Sequence, residues 1–158
     1  MDKDAYLEIN ASQRPALALF EAMGYTYISP ADCDKQRGSG YHVLLRDILR
    51  GQLRRLNRYA YAGAENEFSA ANIERAMEDL DEPLTDGLVR TSEKIYDALL
   101  LGKSYPETVG DGKMLSFNLR YIDWDNPQNN VFHVTEEFAV DSRDRQHNAR
   151  PDIVLFIN

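Results

Sequence analysis

The sequence holds a single cysteine, Cys33, among its 158 residues. An internal disulfide and a cysteine-ligated zinc site are both ruled out by that count. Long apolar runs are missing as well, and nothing approaches the ~18 residues that a membrane span needs. The opening MDKDAYLEINASQ is polar and acidic, without the basic flank and apolar stretch of a signal peptide. The expectation is a cytoplasmic protein with no membrane partner. Positive charge is scarce too: Lys and Arg total 18 against 26 Asp and Glu, a net charge of −8. Phosphate neutralisation dominates DNA affinity, so this chain alone should hold DNA weakly. That balance still leaves room for a domain that receives DNA from a neighbour. No G-x-S-x-G elbow and no P-loop occurs. His42, His133 and His147 lack metal-ligand spacing such as H-x-x-x-H and read as ordinary polar residues.

What is present is an ordinary soluble composition, 43% apolar and 28% charged, and a change of hydrophobic period partway along the chain. Helical patterning covers roughly residues 12–102. SQRPALALFEAMG offers Ser12 as N-cap, Pro15 in the first turn, Leu17, Phe20 and Met23 on one side, and Gly24 as the stop. YTYIS reads as a short strand and PADCDKQRGSG as a polar loop. YHVLLRDILRGQLRRLNRY is a second helix with Leu45, Ile48, Leu49, Leu53 and Leu56 on its apolar face. Arg46, Arg50, Arg54 and Arg58 recur every fourth residue beside that face. SAANIERAMEDL follows with Ser69 as N-cap, then TDGLVRTSEKIYDALLLG, ending near Gly102.

Strand patterning covers roughly residues 114–158. SFNLRYIDW alternates, DNPQNN is a turn cluster, and VFHVTEEFAV places Phe132, Val134, Phe138 and Val140 on one face with Glu136 among them. DIVLFIN resembles a strand buried on both faces. Helices followed by closely connected strands predict an α+β fold, its helical N-terminal half packed on a largely antiparallel or mixed sheet. Without repeats or low-complexity linkers, residues 1–158 read as a single domain.

Asp152 stands at the start of the last strand, after Arg150 and Pro151. A carboxylate at the open end of a sheet can hold Mg²⁺, which keeps several waters and needs only one or two carboxylates plus a phosphate. Such a metal can drive phosphodiester hydrolysis. The plainer reading makes Asp152 a turn residue paired with Arg150, and on residue types alone it is the commoner one. Glu136 and Glu137 are strand neighbours that should face opposite ways and so do not act as a pair. Glu136, among apolar residues, is expected to be tied to an arginine of the helical half. The arginine row can meet phosphates, but such rows are more often solvated or paired with acidic neighbours. Asp111-Gly112-Lys113 has the carboxylate-x-lysine pattern of some nucleases, yet its glycine-rich setting reads as a turn.

DLDEPLTDGLVRTSEKIYDALLLGKS, LRYIDWDNPQNNVFHVTEEF and RPDIVLFIN occur in that order and span most of the chain. Together they resemble the N-terminal region of type I restriction enzyme R subunits. The resemblance implies a nuclease domain of the PD-(D/E)XK type, with a restriction-endonuclease-like core, belonging to a type I site-specific deoxyribonuclease. In such a subunit, Mg²⁺-dependent cleavage of double-stranded DNA follows translocation by an ATP-driven motor. The partners are the methyltransferase and specificity subunits. The resemblance also implies Asp152 as catalytic metal ligand, Arg150 as a phosphate contact or strand-orienting residue, and Glu8 as a further acidic residue near the first helix. The alternative is a non-catalytic docking or scaffold domain within a multisubunit assembly.

In the family pattern Pro-Asp is followed by Glu-x-Lys on the next strand, and no Glu-x-Lys occurs in these 158 residues. The chain is therefore expected to be the opening fragment of a longer subunit, with its core lacking later strands, and inactive alone. Residues 153–157 would then be an edge or a frayed tail, prone to self-association.

Overall fold

Ser29 and Gly38 frame a helix where the sequence reads as a polar loop. Ser29 Oγ accepts from the Asp32 amide at 3.2 Å, Pro30 opens the first turn, Lys35 and Arg37 close the last, and Gly38 ends it in the left-handed region at φ 71°. These caps and dipole-matched charges hold helix α2, Pro30–Arg37, without an apolar stripe.

The computed structural model describes residues 12–81, 83, 85–141 and 148–158. They fall into two units: residues up to Leu45 with Val131–Ile157, and Arg46–Asn130 with Asn158. Helices and strands mix throughout, an α+β fold. The described strands, however, are divided among several small sheets, and they begin well before residue 114.

In the first unit the middle strand is β6, Phe132–Glu136, with β1, Thr26–Tyr27, on one side and β9, Ile153–Ile157, on the other. β1 pairs parallel, Tyr27 opposite Val134. β9 pairs antiparallel, from Phe132 opposite Ile157 to Glu136 opposite Ile153. Helix α1, Arg14–Ala22, lies against β6, as does α2. Leu17 of α1 is buried, but Met23, expected on the same face, is exposed because it caps the helix end. Gln13, not Ser12, occupies the N-cap position. Phe20, Tyr25 and Phe132 form an aromatic chain with centroids 5.4 and 5.5 Å apart. Arg37 lies 4.4 Å over the Phe138 ring while binding Asp34, a cation–π contact on a buried cation.

The alternating run over residues 131–140 is not one strand. β6 ends at Glu136, and Glu137 adopts φ 52°. β7, Val140–Asp141, pairs instead with β8, Asn148–Ala149. Thr135 and Val134, on opposite faces, are both fully buried, so β6 is covered on both sides. The strand expected to be buried on both faces is β9, yet it lies at the sheet edge with Leu155 and Ile157 exposed. His133 is half-buried, its Nδ1 has no hydrogen-bond partner among the described residues, and burial holds its pKa below the ordinary histidine value.

In the second unit, helices α3, Arg46–Leu56, and α4, Ala70–Leu80, pack through Leu49, Leu53, Ile73 and Met77. The predicted second helix ends at Leu56. Arg58 and Tyr59 belong to β2, Arg58–Tyr61, which turns through Ala62 and Gly63 at φ 51° and 79° into β3, Ala64–Glu67. Positive φ at both turn residues is the demand of a tight two-residue hairpin. Ser69 caps α4 as expected, accepting from the Asn72 amide at 3.3 Å. Helix α5, Leu88–Leu101, leads to the hairpin of β4, Lys103–Val109, and β5, Lys113–Leu119. Asp111 and Gly112 make the turn at φ 61° and 73°, as their sequence predicts.

Three of the four arginines in the row pair with acids. Arg50 Nε lies 2.5 Å from Glu74 and its Nη1 2.7 Å from Asp47. Arg46 lies 3.8 Å from the same Glu74, and Arg58 reaches Glu67 at 2.8 Å.

The middle of this unit is polar at one point. Tyr105 Oη lies 2.6 Å from Asp79 and 2.8 Å from Tyr121 Oη, and Tyr121 Oη lies 2.9 Å from the Ala76 carbonyl. Two hydroxyl protons serve three contacts. Tyr105 gives its proton to the carboxylate, and Tyr121 divides its own between Tyr105 and Ala76. Burial pushes the Tyr121 hydroxyl up to about 12 and Tyr105 higher still. Burial opposes the charge on Asp79, but Lys103 at 2.8 Å and Tyr105 outweigh it and hold the carboxyl below its usual value.

Candidate functional site

Proline at 151 fixes φ and denies a backbone donor, so the chain enters β9 only after Asp152. The Asp152 side chain is exposed, and its carbonyl accepts from the Glu137 amide at 3.1 Å. That backbone bond sits just past the last pair of the β6–β9 ladder, Glu136 opposite Ile153. Asp152 and Glu137 therefore leave the sheet at the same end.

Glu137 is the hub there. Its Oε2 lies 2.5 Å from Arg150 Nε, and its Oε1 accepts from Gln13 Nε2 at 2.9 Å. Arg150 pairs with Glu137 among the described residues, not with Asp152, which removes the ion pair expected by the turn reading of Asp152. Gln13 is only 6% exposed, and its Oε1 is buried without a hydrogen-bond partner among the described residues. Glu136 accepts at 3.0 Å from the Tyr27 hydroxyl. The arginine expected to hold it is replaced by this tyrosine on the neighbouring strand. Burial, and then Glu136, raise the Tyr27 pKa.

Three of the residues that build this corner, Gln13, Tyr27 and Glu137, were not visible in the sequence as a group. Strand alternation set Glu136 and Glu137 on opposite faces, but the left-handed turn at Glu137 ends the alternation. Gln13 lies 124 positions away. Its only local signal is a polar residue just ahead of a Pro-started helix. Glu8 lies outside the described residues.

No group of three or more His, Cys, Asp or Glu side chains is placed to hold a metal among the described residues. The donor chemistry at this corner still suits a hard cation. It offers the carboxylates of Glu137 and Asp152 and the Gln13 amide oxygen, which has no partner among the described residues, all oxygen ligands of the kind Mg²⁺ takes. A separate cavity of about 380 Å³ is lined by Asp34, Arg37, Gly38, Ser39, Gly40, Ala139 and Asp141. Asp152 is not part of it. The Asp141 carboxylate lies directly against the Cα of Gly40, where any side chain would collide. No helix among the described residues is long and apolar enough to cross a membrane.

Neither the curated proteins nor the solved structures compared with this chain give a match. A family profile does: the one described as type I restriction enzyme R protein N terminus covers residues 5–158. Since that match takes in nearly every residue, the chain belongs to the family of N-terminal regions of type I restriction enzyme R proteins.

Proposed function

We propose that this region is the nuclease part of its R subunit, of the PD-(D/E)XK type, and that Asp152 holds Mg²⁺ for cleavage of double-stranded DNA. The observation that carries the reading is the exposed Asp152 carboxylate at the head of β9, beside an arginine on a partly exposed ion pair. Asp152 supplies the metal oxygen, and Arg150 meets the phosphate. Bound there, Mg²⁺ would polarise the phosphodiester and lower the pKa of an attacking water. ATP serves a translocating motor elsewhere in the subunit. The partners are the methyltransferase and specificity subunits, and the setting is the cytoplasm. Alone, the chain is expected to be inert, because it carries no Glu-x-Lys.

The test is Asp152→Ala in the assembled enzyme with all subunits, ATP and plasmid DNA. Cleavage should fall by at least about 10²–10³-fold, the scale for removing one charge-stabilising group at a reacting centre, while ATP hydrolysis persists. Cleavage at the normal rate would take Asp152 out of the mechanism and favour a second reading, a non-catalytic docking domain. That second reading has its own support. Among the described residues of α5 only Thr91 is buried, whereas Leu88, Val89, Tyr96, Leu100 and Leu101 are exposed, an apolar surface of the kind that marks contact sites.

The outer edge of β9 has no partner among the described strands. An uncharged edge of this kind templates pairing with a second copy. Sedimentation velocity should show the isolated chain growing in size with concentration, and Leu155→Lys should suppress the growth. A wild-type chain that stays monomeric at the highest concentration would refute self-pairing.

A further inference from the structure

We propose that Gln13 and Glu137 share the divalent cation with Asp152, and that Arg150 is the internal occupant the cation displaces. This rests on the reading of Asp152 as a metal ligand and adds the residues that complete and guard the site.

The argument begins with the Gln13 amide. One end donates to Glu137 Oε1 at 2.9 Å. The other end, Oε1, is buried with no partner among the described residues, in a residue only 6% exposed. Buried acceptors left unpaired are rare in folded proteins and call for a missing partner such as a water or an ion. The unused oxygen belongs to the same planar amide whose Nε2 grips the Glu137 carboxylate, so the two ends of one rigid group serve one corner. A neutral carbonyl oxygen beside carboxylate oxygens is a ligand set for a hard cation.

Glu137 is held in place for such a role. Its backbone takes a left-handed φ of 52°, unusual for a non-glycine residue, and its amide is fixed to the Asp152 carbonyl at 3.1 Å. Three segments thus converge: the start of α1, the end of β6 and the approach to β9. Charge explains the fourth member. Glu137 and Asp152 bring two negative charges, and Arg150 returns one through its 2.5 Å contact with Glu137. A dication neutralises both carboxylates and leaves the guanidinium surplus. The Arg150 side chain is 65% exposed against 26% for Glu137, so the arginine is the partner nearer to solvent. Released, it stands at the site's rim, where its fork can take a phosphate through paired hydrogen bonds. Arg150 therefore holds Glu137 before the cation arrives and the phosphate afterwards.

Mn²⁺ titration of the purified chain, followed by the paramagnetic resonance of the free ion, tests this without any need for activity. Gln13→Leu and Glu137→Gln should each weaken Mn²⁺ binding about tenfold or more, the usual result of removing a ligand or its support. Arg150→Gln should tighten binding by removing the competitor, and Gln13→Glu should tighten it by adding charge. The last two variants keep the test decisive if Gln13→Leu fails to fold, which circular dichroism would reveal. Unchanged affinity in both folded Arg150→Gln and Gln13→Glu would overturn the proposal. So would a complete absence of Mn²⁺ binding in the wild type and in Arg150→Gln. Binding that depends on Asp152 but ignores Gln13, Glu137 and Arg150 would also overturn it, while leaving the nuclease reading intact. Cleavage by assembled Asp152→Ala enzyme is the result that removes the nuclease reading.

Discussion

Replacing Asn130 with alanine should destabilise the protein by about 3–5 kcal/mol, the range for dismantling a buried hydrogen-bond network. The side chain is buried and fully used. Its Oδ1 accepts from the Asp123 amide at 2.9 Å and from Asn158 Nδ2 at 2.8 Å. Its Nδ2 donates to the carbonyls of Asp123 at 3.0 Å and Pro127 at 3.1 Å. Asp123 in turn accepts from Asn129 at 2.9 Å and from the Asn126 amide at 3.1 Å, with Arg120 at 3.4 Å. Asn158 also donates to the Tyr121 carbonyl and accepts from Gln52. Alanine would strand the Asp123 amide and the Asp123 carbonyl inside the fold, while the Pro127 carbonyl keeps the residue-130 backbone amide at 3.0 Å. Urea unfolding should show a lower midpoint with an unchanged slope. A loss below about 1 kcal/mol would mean the loop re-forms its bonds without Asn130.

Glu107→Ala should cost a similar amount, about 3–5 kcal/mol, by the same mechanism. Glu107 is 5% exposed, and one of its oxygens, Oε1, accepts from the Ser69 amide at 2.8 Å, Ser69 Oγ at 3.0 Å and Asn72 Nδ2 at 2.8 Å. It fastens β4 to the cap of α4, so its loss also frees the first turn of that helix. Glu107→Gln keeps an oxygen acceptor and should recover a large part of the loss. Hydrogen exchange at residues 69–73 reports the damage locally. Equal stability of the alanine and glutamine variants would show that packing, not the shared acceptor, fixes this joint.

The sequence showed some of this plainly. Ser69 as a cap and Asp111-Gly112 as a turn follow from side-chain oxygens and permissive backbone that act within a few residues. The α+β class follows from the change of hydrophobic period. Helix α2 has no hydrophobic period to reveal it, although Ser29, Pro30, Asp32 and Gly38 all carry its end signals. The break at Glu137 escaped because a left-handed glutamate has no local signature. Its conformation is set by Gln13, Arg150 and the Asp152 carbonyl, all distant along the chain or beyond the next strand. Asp152 could be picked out as a residue type in a motif, but its neighbours could not. The string YIDWDNPQNN, which carries much of the family likeness, includes the self-bonded loop around Asp123 and Asn130. Its distinctiveness records a loop shape rather than a reaction.

The proton shortage between Tyr105 and Tyr121 has a mechanical consequence. A hydroxyl with two acceptors and one proton can favour either as the distances change. When β4 drifts slightly from α4, Tyr121 can shift its weight toward Ala76, and it can shift back as the gap closes. The joint therefore has two alternative closures where an ordinary hydrogen bond has one. Tyr121 thus keeps one of its two contacts, to the hairpin or to the helix, whichever acceptor its proton favours.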